Sequence, residues 1–210
     1  MLDQQSQWYK LQYPECFVSE ENKMMQKVFA DFVDKEVMPV RQKIEDDETH
    51  KEIIEPLLKK LQVDIGCQRN NIPKDYGGNE ELSLIGSALR QEQLARGDYG
   101  ISMHTAVTDW ALAPACIGYL NGTPTLKAWG KAVLDEFAEM FIKDELRAAC
   151  FNMSEADSAC DIENHLNEGR LVHTKAVLKG NEWVINGTKH WASNAGIADL
   201  NLVICNMDPG

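Results

Sequence analysis

The side chains that most often act as metal ligands or nucleophiles are scattered along this sequence. The six cysteines show no CxxC pair and no zinc-knuckle spacing; they are Cys16, Cys67, Cys116, Cys150, Cys160 and Cys205. The five histidines are equally dispersed, and the sequence contains no P-loop and no local nucleophile–base pair. We therefore predict no metal site, and we expect reduced, mostly buried thiols of a cytoplasmic protein.

Net charge and hydropathy narrow the class of protein. The formal net charge is −12, which argues against nucleic-acid binding because that function requires a basic surface. A solvated acidic surface accounts for this charge without any partner. The sequence has no run of about 18 apolar residues, so no membrane span is predicted. The first ten residues lack both an apolar signal core and the arginine-rich character of a transit peptide, which favours a cytoplasmic location.

Up to about residue 145 the apolar residues follow a helical period. Ser19 is suited to cap a first helix, because two glutamates follow it at the positive end of the helix dipole. Pro56 fits the first turn of a second helix. The segment 72–78 contains a proline and a Gly-Gly pair and is predicted to be a loop. Three longer helices are predicted over 82–96, 101–119 and 126–144.

After about residue 146 the pattern changes to short β-prone segments. Strands are predicted over 146–153, 171–178, 183–185, 188–193 and 200–205. Asn186-Gly187 predicts a hairpin turn because both residues tolerate positive φ, and turns are also predicted at 179–182 and at 206–210. The predicted fold is multi-domain α and β: an all-α helical bundle, 1–145, followed by an incomplete antiparallel β domain, 146–210. Because so small a sheet leaves edges unpaired, we expect further chain or a second chain to complete it.

Four segments, in this order, resemble motifs of the acyl-CoA dehydrogenase family. In the helical part, 72–78 reads IPKDYGG and 92–98 reads EQLARGD. In the β part, 151–161 reads FNMSEADSACD and 183–194 reads WVINGTKHWASN. The resemblance covers nearly the whole chain, from about residue 20 to residue 205, and it implies an acyl-CoA dehydrogenase-like fold.

The resemblance implies an FAD cofactor held by the last two segments. The implied cofactor-binding residues are Phe151, Met153, Ser154, Trp191, Ala192 and Ser193. The Ser154 hydroxyl and nearby backbone amides would meet the pyrimidine part of the flavin, Trp191 would pack near the ring, and the Ser193 hydroxyl would approach N5. This fits a flavin, which needs donors at its polar edge and an apolar or aromatic surface against its face.

Two further residues are assigned to the substrate by resemblance. Cys160 takes the position of a substrate-contacting serine, and His104 lies in the helix that lines the acyl cavity in relatives. Each also has a plain structural explanation: Cys160 as a small buried apolar residue, and His104 as a helix histidine with satisfied hydrogen bonds. Trp191 alone is equally explained as a core aromatic residue.

The implied activity is α,β-desaturation of an acyl-CoA thioester, with hydride transfer to flavin N5. Family members pass electrons mostly to electron-transferring flavoprotein and form dimers or tetramers, so an oligomer is expected. The family's catalytic base is a glutamate on a C-terminal helical domain. This sequence contains no such domain, so no catalytic residue is assigned within it.

The segment 151–161 departs from the family pattern. Ala156 replaces a proline, and Asp157 and Ala159 replace glycines, which restricts a loop that normally needs unusual φ and ψ. The Asp157 carboxylate would be unfavourable beside a pyrophosphate unless it pointed away. Two alternatives therefore stay open: a non-catalytic or half-site subunit of a heteromeric dehydrogenase, and a flavin-free scaffold protein of the same fold.

Overall fold

The computed structural model describes residues 18–49, 51–81, 83–159 and 172–208. These residues form α1 (Glu20–Phe32), α2 (Arg41–Ile44), α3 (Ile54–Lys59), α4 (Leu84–Gly97), α5 (Tyr99–Asn121) and α6 (Pro124–Ile142). They also form β1 (Ala149–Asn152), β2 (Lys175–Lys179), β3 (Glu182–Asn186), β4 (Leu200–Val203) and β5 (Asn206–Asp208). Within these ranges no helix is both long enough and apolar enough to cross a membrane.

The helix starts follow the capping chemistry of the sequence. The Ser19 hydroxyl accepts a hydrogen bond from the Asn22 amide, which confirms the predicted cap of α1. Pro56 lies in the first turn of α3, also as predicted. The predicted bounds of the three longer helices lie within two residues of α4, α5 and α6. The longer helices before residue 145 could therefore be predicted from the helical spacing of apolar residues and from the capping residues.

Two buried apolar clusters fill the helical part. One is formed mainly by α1, α3 and the segments that directly follow them, with Leu94 of α4 packed among them, and the other joins α5, α6 and β1. Gly130 of α6 permits close contact with α5, because a Cβ there would lie 2.4 Å from the Ala115 carbonyl oxygen. Helix α5 is buried along most of its length, so its side chains reach both clusters and the β part.

The described strands form one parallel pair and one mixed three-stranded sheet, rather than an antiparallel sheet throughout. Strand β1 pairs with β4 in parallel, whereas β2 pairs antiparallel with β3 and parallel with β5. The prediction of a helical part followed by a β part is confirmed. The expectation of a purely antiparallel β part is corrected, because long connections bring β4 and β5 back beside β1 and β2 in the same direction.

Three local predictions in the β part were wrong. The β2–β3 turn lies at Gly180-Asn181, within the predicted turn over 179–182, and Asn186-Gly187 forms no second hairpin. Residues 188–193 are not a strand, because this segment instead bonds to the chain that follows β1. Residues 206–208 are strand β5 rather than a turn. In each case a long-range pairing overrides the local preference.

Gln68 joins the helical part to the segment that leads into β1. Gln68 is 3% exposed, and the two hydrogens of its Nε2 are shared among the carbonyl oxygens of Phe141, Lys143 and Glu145, which lie 3.0–3.2 Å away. Its Oε1 accepts from the Arg147 amide at 3.1 Å. One buried amide thus satisfies the carbonyl groups at the end of α6 and the backbone that enters β1.

Replacing Gln68→Met should lower the free energy of unfolding by about 2–3 kcal/mol, because buried carbonyl groups lose their donor while the side-chain volume is kept. The measurement is urea-induced unfolding followed by circular dichroism. The exposed Gln42→Met is the matched control and should change stability by less than about 0.5 kcal/mol. Equal effects of the two substitutions would show that Gln68 does not secure this junction.

Candidate functional site

The end of β1 is fixed against helix α5. The Ala149 amide donates to the Thr108 hydroxyl at 3.3 Å, and the ring of Phe151 meets the ring of Trp110 edge to face, with centroids 6.4 Å apart. The chain then continues through Met153 and Ser154, both partly exposed. Met153 and Ser154 therefore lie at the accessible end of β1, beside α5.

The segment 189–194 lies directly beside this strand end. The His190 amide donates to the Ser154 carbonyl oxygen at 2.9 Å, and the Lys189 ammonium donates to the Met153 carbonyl oxygen at 2.8 Å. Asn194 Nδ2 donates to the Ala149 carbonyl oxygen at 3.0 Å and to the His104 carbonyl oxygen at 3.2 Å. Two stretches that are distant in sequence thus form one continuous surface.

A buried ion pair lies beneath this surface. Lys189 Nζ is 2.9 Å from Glu155 Oε1, and the two side chains are 9% and 4% exposed. Glu155 also accepts hydrogen bonds from the His173 and Thr174 amides at 2.7 and 2.8 Å. Burial disfavours its charge, but the hydrogen bonds from Thr174, Lys189 and His173 outweigh burial and lower the pKa of Glu155 to about 2. Glu155 is therefore an ionised carboxylate near pH 7 whose oxygens already accept hydrogen bonds, which makes it unsuited to proton abstraction.

Trp191 stands out from the anchored segment. It is 80% exposed and has a φ of +54°, a left-handed conformation that is unfavourable for a bulky residue. Lys189 and Asn194 fix the chain on either side of it, while Ala192 is partly exposed and Ser193 exposed. The anchors thus present a flat aromatic side chain and a hydroxyl outward, next to Met153 and Ser154.

Comparison with known proteins identifies the family of this chain. Residues 19–136 match the acyl-CoA dehydrogenase N-terminal domain. The chain belongs to the acyl-CoA dehydrogenase family. It is 29% identical over 153 residues to cyclohexane-1-carbonyl-CoA dehydrogenase of Syntrophus aciditrophicus (strain SB), a match that covers 73% of this chain and 35% of the relative.

Two further relatives extend the match into the β part. The mitochondrial short/branched chain specific acyl-CoA dehydrogenase of Rattus norvegicus is 28% identical over 192 residues, which cover 91% of this chain and 39% of the relative. The structure of an acyl-CoA dehydrogenase complexed with FAD from Bacillus anthracis superposes with a TM-score of 0.63 at 26% identity, over 94% of this chain and 30% of that one. This chain therefore spans roughly two fifths or less of these relatives.

The predicted site residues of this family member fall into separate places. Phe151, Met153 and Ser154 share one surface with the segment that contains Trp191. His104 lines a different space, a cavity between α3 and the segment after Asn194. Cys160 lies outside the described residues, so its predicted role stays a prediction.

Two residues essential to this arrangement were missed as functional candidates. Glu155 and Lys189 lie within the family motifs but were given no role there. Because 33 residues separate them, no short sequence pattern predicts that they pair. The substituted residue Asp157 points into solvent, with its side chain 72% exposed and 3.4 Å from His173 Nε2. Donor atoms of Glu155, Asp157 and His173 lie within 4.8 Å of one another, but a cation there would compete with the Lys189 ammonium for Glu155.

The Glu155–Lys189 pair predicts a specific pH dependence of stability. Because the pKa of Glu155 is lowered from 4.5 to about 2 in the folded chain, its stabilising contribution is complete above about pH 4.5 and is lost as the pH falls towards 2. Glu155→Gln should cost about 3 kcal/mol of unfolding free energy at pH 7, since it leaves a buried ammonium unpaired. That deficit should shrink steadily between pH 4.5 and pH 2.

Urea unfolding at a series of pH values measures this effect. Glu182→Gln, at an exposed position of β3, is the matched control and should follow the wild-type pH profile. A deficit for Glu155→Gln that stays constant from pH 6 to pH 3 would contradict an ionised, paired Glu155.

Proposed function

We propose that this chain is part of an FAD-dependent acyl-CoA dehydrogenase that desaturates an acyl-CoA thioester between Cα and Cβ. The observation that carries the proposal is the joining of the two flavin-motif segments by hydrogen bonds from His190 to Ser154 and from Lys189 to Met153. Family membership supports the reaction class. We also propose that the helical and β parts act as two domains divided near residue 145.

The exposed surface suits an isoalloxazine ring. Trp191 offers an uncovered aromatic face, and Ser154 and Ser193 offer hydroxyl groups at its border. The backbone behind these side chains is already hydrogen-bonded, so the side chains are positioned before any ligand arrives. When bound, FAD would accept the hydride that leaves the substrate Cβ. Phe151 and Ala192 would contribute apolar contact beside the ring.

The chain supplies binding and orientation, and the catalytic base comes from elsewhere. Glu155 is unsuitable because the Lys189 ammonium and two backbone amides engage its oxygens. Trp110 is half exposed on α5 beside Phe151, where it can shield an acyl chain from water. We propose that a carboxylate outside these 210 residues removes the α-proton, and that Cys160 contacts the substrate.

The altered segment 156–159 favours a second candidate function. Alanines and Asp157 stand where the family carries proline and glycine, and Asp157 adds an exposed negative charge three residues after Ser154. A half-site subunit, whose partner completes the flavin site and supplies the base, would tolerate such changes. A flavin-free scaffold is the remaining alternative, and flavin binding by the chain would exclude it.

We propose partners and location by analogy with the family. The substrate would be an acyl-CoA, the electron acceptor an electron-transferring flavoprotein, and the assembly a dimer or tetramer in the cytoplasm. Several apolar side chains on the described strands are exposed and would be covered in such an assembly, including Trp183, Ile185 and Met207.

Flavin binding tests the candidate surface directly. The purified protein, titrated with FAD, should develop the flavin absorbance bands and quench flavin fluorescence as the ring stacks on Trp191. Trp191→Ala should weaken binding about tenfold, since an aromatic contact of this kind contributes about 1.4 kcal/mol. Trp183→Ala, which removes another partly exposed tryptophan from β3, should leave the affinity unchanged. Failure of the folded wild-type chain to bind FAD would contradict this surface as a self-sufficient flavin site and would favour the half-site subunit or the scaffold.

The 210-residue chain alone should not turn over acyl-CoA, even when loaded with FAD, because we place the catalytic base outside it. Dye reduction with short-chain, long-chain and branched acyl-CoA thioesters measures this, with the rat short/branched chain enzyme as positive control. Turnover by the isolated chain would contradict our placement of the base outside these residues.

A further inference from the structure

The outer edge of β3 is open. Strand β3 pairs with β2 on one side, and no described strand pairs with its other side. Its three central residues, Trp183, Val184 and Ile185, are 43–51% exposed. These residue types favour extended backbone. A strand edge presents unpaired N–H and C=O groups, with which a further strand can pair. The edge therefore has both the backbone groups and the residue types that accept another strand.

The turn between β2 and β3 shows which backbone groups of β3 point outward. The two-residue turn 180–181 has a φ of +65° at its first residue, Gly180, which is typical of a type II′ turn. In such a hairpin the residues that flank the turn exchange both backbone hydrogen bonds, and hydrogen-bonded pairs alternate along the ladder. Glu182, which follows the turn, therefore points its backbone groups towards β2, as does every second residue after it. The N–H and C=O groups of Trp183 and Ile185 point outward instead.

The sequence of β3 is complementary to itself in one antiparallel register. A twofold axis through Val184 places Trp183 opposite the partner's Ile185, and Glu182 opposite the partner's Asn186. Trp183 and the partner's Ile185 can then exchange both backbone hydrogen bonds, and the twofold axis repeats this pair. Each Glu182 carboxylate meets an amide that can donate to it, so no like charges face each other. A parallel pairing in register would instead bring the two Glu182 carboxylates together.

The charge of the β2–β3 hairpin also suits association of two copies. The segment 172–187 contains two lysines and one glutamate, whereas the whole chain has a formal net charge of −12. A large net charge keeps proteins apart by mutual repulsion. Two copies that meet at this hairpin bring together segments that are nearly neutral and not acidic.

This antiparallel register keeps the two faces of the sheet consistent. Leu178 lies opposite Trp183, and Ala176 lies opposite Ile185, so these four apolar residues share one face of the sheet. About the axis through Val184, Trp183 and the partner's Ile185 share a face as well, and such an aromatic and β-branched pair is stabilising. The apolar faces of both copies therefore lie on the same side of the joined sheet.

We propose that the outer edge of β3 is a self-association surface, at which two copies of this chain pair antiparallel about Val184. The pairing joins the three described strands of each copy, in the order β5-β2-β3 and then β3-β2-β5, into one six-stranded sheet. The proposal requires neither flavin nor acyl-CoA, so it does not rest on the proposed dehydrogenase function. It assigns an interface, which analogy with the family does not.

Sedimentation equilibrium of the full 210-residue chain over a range of concentrations tests the edge. We expect a monomer–dimer equilibrium for the wild type. Ile185→Pro removes an outward N–H group but leaves the bonds to β2, and it should weaken association about 30-fold because two hydrogen bonds across the axis are lost. Ile185→Ala, the matched control, keeps this N–H group and should weaken association much less. Circular dichroism verifies that both variants are folded.

The register is tested by charge. Asn186→Glu places a carboxylate opposite the partner's Glu182 at two symmetric positions, and it should weaken association about fivefold. Asn186→Gln keeps the amide and should leave association unchanged.

Cross-linking tests the axis directly. At Val184 the Cβ atoms of the two copies should lie at the cross-strand spacing of about 4.5–5.5 Å. Val184→Cys should therefore form an intermolecular disulfide in oxidised glutathione, and Lys179→Cys, exposed on β2, should not. A wild-type chain that stays monomeric at every concentration, association that is unchanged by Ile185→Pro, or equal cross-linking of the two cysteine variants would each overturn the proposal.

Discussion

The buried ammonium of Lys189 is the group on which the candidate site depends. It bonds the Met153 carbonyl oxygen and the Glu155 carboxylate, and Glu155 in turn accepts the amides at the entrance to β2. The end of β1, the start of β2 and the segment before Trp191 therefore share one electrostatic centre. Burying two charges is unfavourable unless every hydrogen bond is made, so this pair specifies one arrangement of the three segments. The positions of the accessible residues of the candidate site, such as Ser154 and Trp191, therefore depend on that arrangement.

Sequence reasoning succeeded where the determinants are local. Period and caps gave α4, α5 and α6 to within two residues, because side chains three and four apart decide which face of a helix is buried. The motifs around Ser154 and Trp191 pointed to two segments that hydrogen bonds join in the structure, and their flavin role stays a prediction. The hairpin at Asn186-Gly187 failed because Lys189 and His190 bond to the β1 end instead of returning along β3. Neither the Glu155–Lys189 pair nor the Gln68 amide, with its partners more than 70 residues away, leaves a pattern in nearby sequence.

Helix α5 contacts its surroundings with different residues on two of its sides. Its Thr108 hydroxyl receives the first amide of β1, and its Trp110 meets Phe151, which places the candidate flavin surface. Its His104 faces a cavity whose opposite wall comes from α3. Asn194 donates to carbonyl oxygens of both α5 and β1. A shift of helix α5 would therefore displace the segment that contains Asn194 as well as the start of β1.

Strand β3 has a consequence for how the protein behaves in solution. It pairs with β2 on one side, no described strand pairs with its other side, and all five of its residues are exposed. Trp183, Val184 and Ile185 thus form a β-prone apolar run on an open sheet edge, the kind of segment that templates intermolecular strand addition. Glu182 and Asn186 flank the run as polar gatekeepers. The open edge of β3 is therefore one point at which two copies of the chain could pair strand to strand, and a neighbour covering that edge would prevent such pairing.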